Sequence, residues 1–419
     1  MKVLIVSHSD SSGGAARATK RLLNALTRNH NNNVKMYVQV KKTLDNHVIG
    51  PVSKVSMLLC MVRARVGQLL INMQRSSNLS LHSLNVLPSS MLNRINNSDF
   101  DIVNLHWING ETLSIKEISK INKPIVMTLH DMWAFCGSEH VVTDSDDARF
   151  KIGYLPTNRS HQDKNIDLDR INWNKKVKYW KKPFHIVTPS HWLAKCAQES
   201  ELFRNWSVTV IPNAIDTDVF KPISKKVARK ILNLPLDKKL IGFGSWMGGE
   251  VNNKGIDLLK DSLSLLFKND ESLLQCVVFG QERPLNFKDD HYPFLFQGQL
   301  NDNVTLAILY SALDLIIVPS RVENLPQVAT EALSCGCPVV GFNTSGMPDA
   351  VQHMKTGYLA KVFESSDLAY GIKLLLSDNA LLEIMSNNAR DKAVKCWSQD
   401  IVALQYQDLY RSIIENKEF

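Results

Sequence analysis

Two spacings of apolar residues alternate along the chain. Short, nearly continuous β-branched runs lie at 2–7, 34–40, 101–106, 124–130 and 185–189. A second series lies at 208–212, 240–244, 274–280, 315–319 and 338–342. Longer stretches of helical periodicity separate them. Strands apolar on both faces, joined by helices, predict parallel sheets covered on both sides. Ten such units are too many for one sheet of ordinary size. Residues 211–222 (IPNAIDTDVFKP), bracketed by prolines and rich in turn formers, mark the break. The expected organisation is α/β, with two open domains at 1–212 and 213–397. Such domains hold ligands beyond the carboxyl ends of their strands, and if those ends face each other a cleft is the default substrate site.

Composition narrows the class. The 419 residues are 44% hydrophobic and 21% charged, which excludes disorder and collagen. No run reaches 18 apolar residues, and the best, 55–62, is broken by Arg63 and Arg65, so no membrane span is expected. The start, MKVLIVSHSD, lacks a small-residue cleavage site and reads as a first strand, not a signal peptide. Seven cysteines lie at neither zinc nor disulfide-framework spacing, which suggests free thiols in a reducing cytosol. The net charge of +8 is unevenly placed: residues 1–212 hold 28 basic and 16 acidic side chains, a net of +12, leaving −4 for the remainder. An anionic partner for the first half follows. Nucleic acid is disfavoured, because no helix-turn-helix, zinc-finger or RNA-recognition signature accompanies the charge.

Four segments carry candidate chemistry. Gly13-Gly14 follows the first strand and opens a helix, where backbone N–H groups suit an anion, although a tight turn without ligand has the same pattern. It is neither GxGxxG nor a P-loop, so dinucleotide binding and ATP hydrolysis lose ground. His106-Trp107 and His130-Asp131 end consecutive strands. One such histidine is commonly structural; two at strand ends point toward ligand contact. Lys254-Gly255, in Asn252-Asn-Lys254-Gly255, precedes a helix and suits a diphosphate. The segment Val318-Pro-Ser-Arg321-Val-Glu323-Asn324-Leu325 continues through Glu331 to Cys335-Gly-Cys337-Pro338. Its two glutamates are eight apart around a helix start near Leu325, so they address opposite ends of an extended ligand rather than one metal. Asp144-Ser-Asp146 resembles a DxD but falls in a polar loop.

The E-x7-E spacing with the following Cys-Gly-Cys-Pro-Val-Val-Gly strand resembles the retaining glycosyltransferases of family 4, with the GT-B fold. Gly13-Gly14, His130-Asp131, Ile211-Pro-Asn-Ala-Ile-Asp216, Lys254-Gly255 and Ser345-Gly346-Met-Pro occur in that family's order. Leu105-His-Trp-Ile-Asn-Gly110, His130-Asp-Met-Trp-Ala-Phe135 and Glu323-Asn-Leu-Pro are most similar to bacterial enzymes building O-antigen, colanic acid or capsule. The resemblance implies two Rossmann-like domains, with a helix at about 398–419 packing back on the first. It implies that Glu323 and His130 act at the transferred sugar and that Glu331 binds the nucleotide ribose. Gly13, Gly14 and Lys254 would hold the diphosphate, with donor contacts at Asn324 and Leu325. His106, Trp107 and Asp131 are expected on the acceptor side. No metal or other cofactor is implied beyond the nucleotide-sugar co-substrate. Many family members carry a phosphate-clamp arginine where this chain reads Ser245-Trp246-Met247, and Arg321 is the candidate replacement.

These features predict a hexosyltransferase using a UDP- or GDP-sugar and a polyprenyl-pyrophosphate-linked glycan acceptor. It would sit in the cytoplasm, peripheral on the inner face of the plasma membrane. The rivals are a nucleotide-sugar epimerase or glycan synthase of the same fold, or a non-catalytic nucleotide-sugar- or glycan-binding partner. Residues 171–182 (INWNKKVKYWKK) place Trp173, Val177 and Trp180 at helical spacing amid Lys175, Lys176, Lys178, Lys181 and Lys182. The pattern fits a helix on an anionic bilayer, or a surface helix whose tryptophans pack on the core. The apolar, Arg-containing stretch 54–75 is a second candidate.

Overall fold

The first apolar run forms β1 (Lys2–Ser9), in which Val3 and Ile5 enter one core cluster while Leu4 and Val6 enter another. Burial on both faces is what its unbroken apolar character requires. A computed structural model describes residues 1–28, 33–244, 253–267, 274–283, 294–300 and 302–415. They form two units, Met1–Ala214 with Val402–Phe419, and Ile215–Ile401.

In the first unit β1 joins β2 (Asn33–Val40), β3 (Val48–Ile49), β4 (Ile102–His106), β5 (Ile125–Thr128), β6 (His185–Thr188) and β7 (Val208–Val210). The sheet runs β3-β2-β1-β4-β5-β6-β7, and every neighbouring pair is parallel. The run at 208–212 opens the second series in the sequence, yet its strand closes this first sheet beside β6. Helix α1 (Gly13–Thr27) follows β1, α2 (Lys54–Ile71) follows β3, and α3 (Leu168–Tyr179) precedes β6.

The second unit has β8 (Lys239–Gly244), β9 (Leu274–Phe279), β10 (Phe294–Phe296), β11 (Leu315–Val318), β12 (Val339–Phe342) and β13 (Gly357–Ala360). Their order is β10-β9-β8-β11-β12-β13, again all parallel. Helices α4 (Ile256–Phe267), α5 (Asn303–Ala312) and α6 (Gln327–Ser334) cover it. Alternate residues serve its two faces: Leu315 and Ile317 enter one cluster, Ile316 and Val318 the other.

The last helix, α7 (Gln399–Glu415), returns the chain to the first unit. Val402, Ala403, Tyr406 and Tyr410 join the cluster that contains Val3, Val126 and Val187. Buried tyrosine hydroxyls need partners. The Tyr410 hydroxyl accepts from Asn104 Nδ2 at 2.7 Å, and that of Tyr406 lies 3.2 Å from Thr128 Oγ1. These bonds brace β4 and β5 just before the residues that emerge from their carboxyl ends.

Candidate active site

In the second unit the turn at 253–255, before α4, meets the loops that follow β11 and β12. Lys254 Nζ lies 2.6 Å from Glu323 Oε1, and the carboxylate raises the lysine's pKa. The lysine side chain remains 48% exposed and the glutamate 18%. Backbone packing fixes their approach. Gly255, at φ +65°, passes so close to the Pro319 carbonyl that a Cβ would collide with it, and Arg321 N donates to Asn253 O at 2.9 Å. Glu323 N donates to Ser345 Oγ at 2.9 Å, while its carbonyl accepts from Gly346 N at 2.8 Å. Gly346 is pressed against the Asn324 carbonyl, where no side chain fits.

Helix α6 starts at Gln327, two residues beyond the expected Leu325, because Pro326 occupies its N-cap. Leu325 is buried in the core, and Glu331 is buried within α6 with the Tyr310 hydroxyl donating to Oε2 at 2.8 Å. The Arg321 guanidinium grips Asp257 at 2.9 and 2.5 Å. Ser245-Trp246-Met247 and Asn252 lie outside the described residues.

In the first unit β5 stops at Thr128, which puts His130, expected as the last residue of the strand, in the following loop with Asp131. His106 is 1% exposed, with Nδ1 3.0 Å from His130 Nε2. Burial drives the His106 pKa well below its ordinary value. It also brings His130 down to about 4, against the pull of Asp131. Both rings are neutral near pH 7, so His130 is a hydrogen-bonding group there and not a cation.

Asp131 Oδ2 accepts from Trp107 Nε1 at 2.9 Å and faces His140 Nδ1 at 2.6 Å, while Oδ1 accepts from Trp133 N at 3.0 Å. Burial works to raise its pKa, but His140, the Trp133 N–H and His130 outweigh it and hold the carboxyl below the usual range. Trp107 adopts φ +38°, a strained conformation for a tryptophan. His106 and Trp107 are thus brought into hydrogen-bond contact with His130 and Asp131. Gly13 and Gly14 open α1 in exposed positions, and the Ser12 side chain does not cap that helix. Asp10 fixes the loop before them by accepting from Lys42 N, Thr43 N and Thr43 Oγ1 at 2.9, 2.9 and 2.6 Å.

Residues 12–219 match the family described as Glycosyltransferase Family 4, and residues 224–392 the one described as Glycosyl transferases group 1. The chain belongs to glycosyltransferase family 4. Among its relatives, the D-inositol 3-phosphate glycosyltransferase of Corynebacterium aurimucosum is 28% identical over 49% of this chain and 51% of its own length. The capsular polysaccharide biosynthesis glycosyltransferase CapM of Staphylococcus aureus is 24% identical over 52% and 59%. The chain thus spans about half the length of the curated relatives it matches.

Sucrose-phosphate synthase from Thermosynechococcus elongatus superposes with a TM-score of 0.71 at 17% identity, covering all of both chains. Anabaena HepE in complex with UDP-glucose gives 0.65 at 16%, covering 98% of this chain and 100% of its own. The fold of this family 4 chain is GT-B.

The helix at 171–182 needs correction. Trp180 is buried, stacked on Phe203, and its Nε1 donates to Ile115 O at 2.9 Å. Trp173 is half-buried against Tyr154. Lys176 is fully buried, donating to the carbonyls of Trp133, Cys136 and Gly137 with its ammonium 4.0 Å from the Trp133 ring centre. This face of α3 packs on the loop carrying Asp131 and is not available to a bilayer. Lys175 is half-buried and Lys181 exposed. Asp144 pairs with Lys151 at 2.7 Å.

Sequence reasoning overlooked His140, Ser83 and Tyr310, and gave no role to Asn109 or Ser345 although both lie in the motifs at 105–110 and 345–348. A third histidine, nine positions after Asp131, was the available signal for His140; Ser83 and Tyr310 had none.

Proposed function

We propose that this glycosyltransferase moves a hexosyl group, with retention, from a nucleoside diphosphate sugar to a lipid-linked glycan intermediate of a surface polysaccharide. The Lys254–Glu323 pair carries this reading. As the bond from the anomeric carbon to the diphosphate breaks, negative charge grows on the leaving group and positive charge on the sugar. An ammonium and a carboxylate at hydrogen-bond distance complement both. The acceptor hydroxyl forms the new bond to the anomeric carbon, and its proton passes to the departing diphosphate. Glu331 suits the ribose hydroxyls. The UDP-glucose bound by HepE and the capsular role in the name of CapM support the donor and acceptor classes.

Association with a membrane surface rests on α2. Its outward side chains include Val55, Met57, Leu58, Leu59, Met61, Val62, Val66 and Leu69, all exposed. Residues 46–98 contain no Asp or Glu, while Lys54, Arg63, Arg65, Arg75 and Arg94 lie among them. An exposed apolar face on a segment whose own charges are all positive matches an anionic bilayer, on which the helix would lie. No described helix is long and apolar enough to cross a membrane.

The test incubates the protein with labelled donor and lipid-linked acceptor, then determines the anomeric configuration of the product. Label in the lipid fraction with the donor's configuration supports the proposal. A chemically altered free donor without transfer would indicate the epimerase instead.

A further inference from the structure

The ring of His140 lies between Asp131 and two groups on its far side. Nε2 is 2.8 Å from Ser83 Oγ and 3.2 Å from Asn109 Nδ2. An amide nitrogen only donates, so Nε2 carries the lone pair and the ring proton sits on Nδ1, facing Asp131 Oδ2 at 2.6 Å. His140 and Ser83 are held in place by backbone pairing of their segments: His140 N donates to Leu81 O at 2.9 Å, and Ser83 N to Ser138 O at 2.8 Å.

An ionised carboxylate has about four lone-pair directions. Asp131 spends three of them on His140, Trp107 and Trp133, two on Oδ2 and one on Oδ1. The fourth belongs to Oδ1, on a side chain that is 20% exposed. We propose that His140, fixed as its Nδ1–H tautomer by Ser83 and Asn109, is a positioning residue that holds Asp131 in one orientation, so that Oδ1 accepts a hydroxyl of the acceptor substrate. Trp107 is the second clamp, and its strained backbone sets the indole N–H against Oδ2. This inference rests on the transfer reaction proposed above and adds the residue that orients the acceptor.

The test compares His140→Asn with His140→Leu in the full-length protein. The Asn side-chain amide nitrogen is as many bonds from the backbone as Nδ1, so it can restore the N–H to Asp131, whereas leucine cannot. In His140→Leu, kcat/KM for the acceptor falls roughly 10- to 100-fold, the loss expected for one charge-assisted hydrogen bond. Donor affinity is unchanged, and His140→Asn recovers most of the loss.

The acid limb of the pH profile gives a second readout. Asp131 is faced by His130 from its own loop, His140 across the loop, His106 behind His130, and Lys176 from α3. With His140 removed, burial pushes the Asp131 pKa upward and the acid limb moves to higher pH. Equal losses in His140→Asn and His140→Leu, with acceptor KM and the acid limb unmoved, would reduce His140 to a packing residue and overturn the proposal.

If both variants misfold, ¹⁵N shifts of the His140 ring in the wild type decide: a proton on Nδ1 is expected, and one on Nε2 refutes the clamp. The ring measurement requires no turnover. Wild-type protein that transfers nothing therefore refutes the proposed function, while the clamp stands or falls on the tautomer.

Discussion

Lys254 and Glu323, 69 residues apart in sequence, meet at 2.6 Å because Gly255 lets one turn press against the strand end that leads to the other. The contact joins the only two charges that the proposed transition state requires to be opposite. Replacing Glu323 by Gln keeps the shape and removes the charge. Transfer should then fall by about 100- to 1000-fold in kcat, the usual scale for one preorganised electrostatic partner, with a smaller change in donor affinity. Single-turnover kinetics separate the two. Unchanged kcat would remove Glu323 from the chemistry.

Gly346→Ala tests the backbone side of the same site. An added methyl runs into the Asn324 carbonyl and must displace the loop carrying Glu323. We expect a loss of about 1–3 kcal/mol in stability from overpacking, together with weaker donor binding. Thermal melts with and without nucleotide measure both.

Lys176→Met addresses the loop that carries Asp131. The ammonium satisfies three carbonyls, so its removal should cost about 2–4 kcal/mol as buried acceptors lose their donor. Urea unfolding reads this directly. A membrane-facing lysine would give almost no change.

Glu139 provides a pH signature. Burial, then repulsion from Asp169, raises its pKa to about 8 from an ordinary 4.5. Between those values the folded chain holds a proton that the unfolded chain has lost, so stability falls as pH rises through this window. Glu139→Gln, which has no charge to bury, should be flatter from pH 4.5 to 8. Parallel wild-type and variant curves would contradict the assignment.

Leu58 and Leu69 on α2 are 60% and 66% exposed. Changing both to Asp should alter folding stability by no more than about 0.5 kcal/mol each, as surface substitutions do. Binding to phosphatidylglycerol vesicles should weaken at least about tenfold, since apolar burial and charge both turn unfavourable. Added salt should weaken wild-type binding as well. Vesicle binding indifferent to both would leave the α2 face without this role.

The long strands were legible because burial on both faces writes an unbroken apolar run. All ten expected runs fall on strands, while the edge strands Val48–Ile49, Phe294–Phe296 and Gly357–Ala360 were missed, the first two for being very short and the last because Gly357 and Tyr358 do not continue an apolar β-branched run. Residues 208–212 were legible as a strand, and the break after 212 assigned them to the first domain, but their place beside β6 was not, since a run does not name its neighbour. The same limit governed 171–182: helical spacing revealed a face, but not that protein covers it. Lys176 falls between Trp173 and Trp180 on that face, where lysine reads as surface until the three carbonyls around it are seen. Lys254, Glu323 and Glu331 were recognisable as motifs, whereas the bonds from Ser345 to Glu323 and from Tyr310 to Glu331 emerge only from the packing after β12 and on α5.

The central claim is that the Lys254–Glu323 site binds a nucleoside diphosphate sugar. Thermal melting of the purified protein against a panel of UDP- and GDP-sugars tests it most directly. At a concentration of 100 times Kd, the correct donor should add about 2.7 kcal/mol of stability, and Lys254→Ala should abolish most of that gain. No stabilisation by any donor, or equal stabilisation of wild type and Lys254→Ala, would contradict the account.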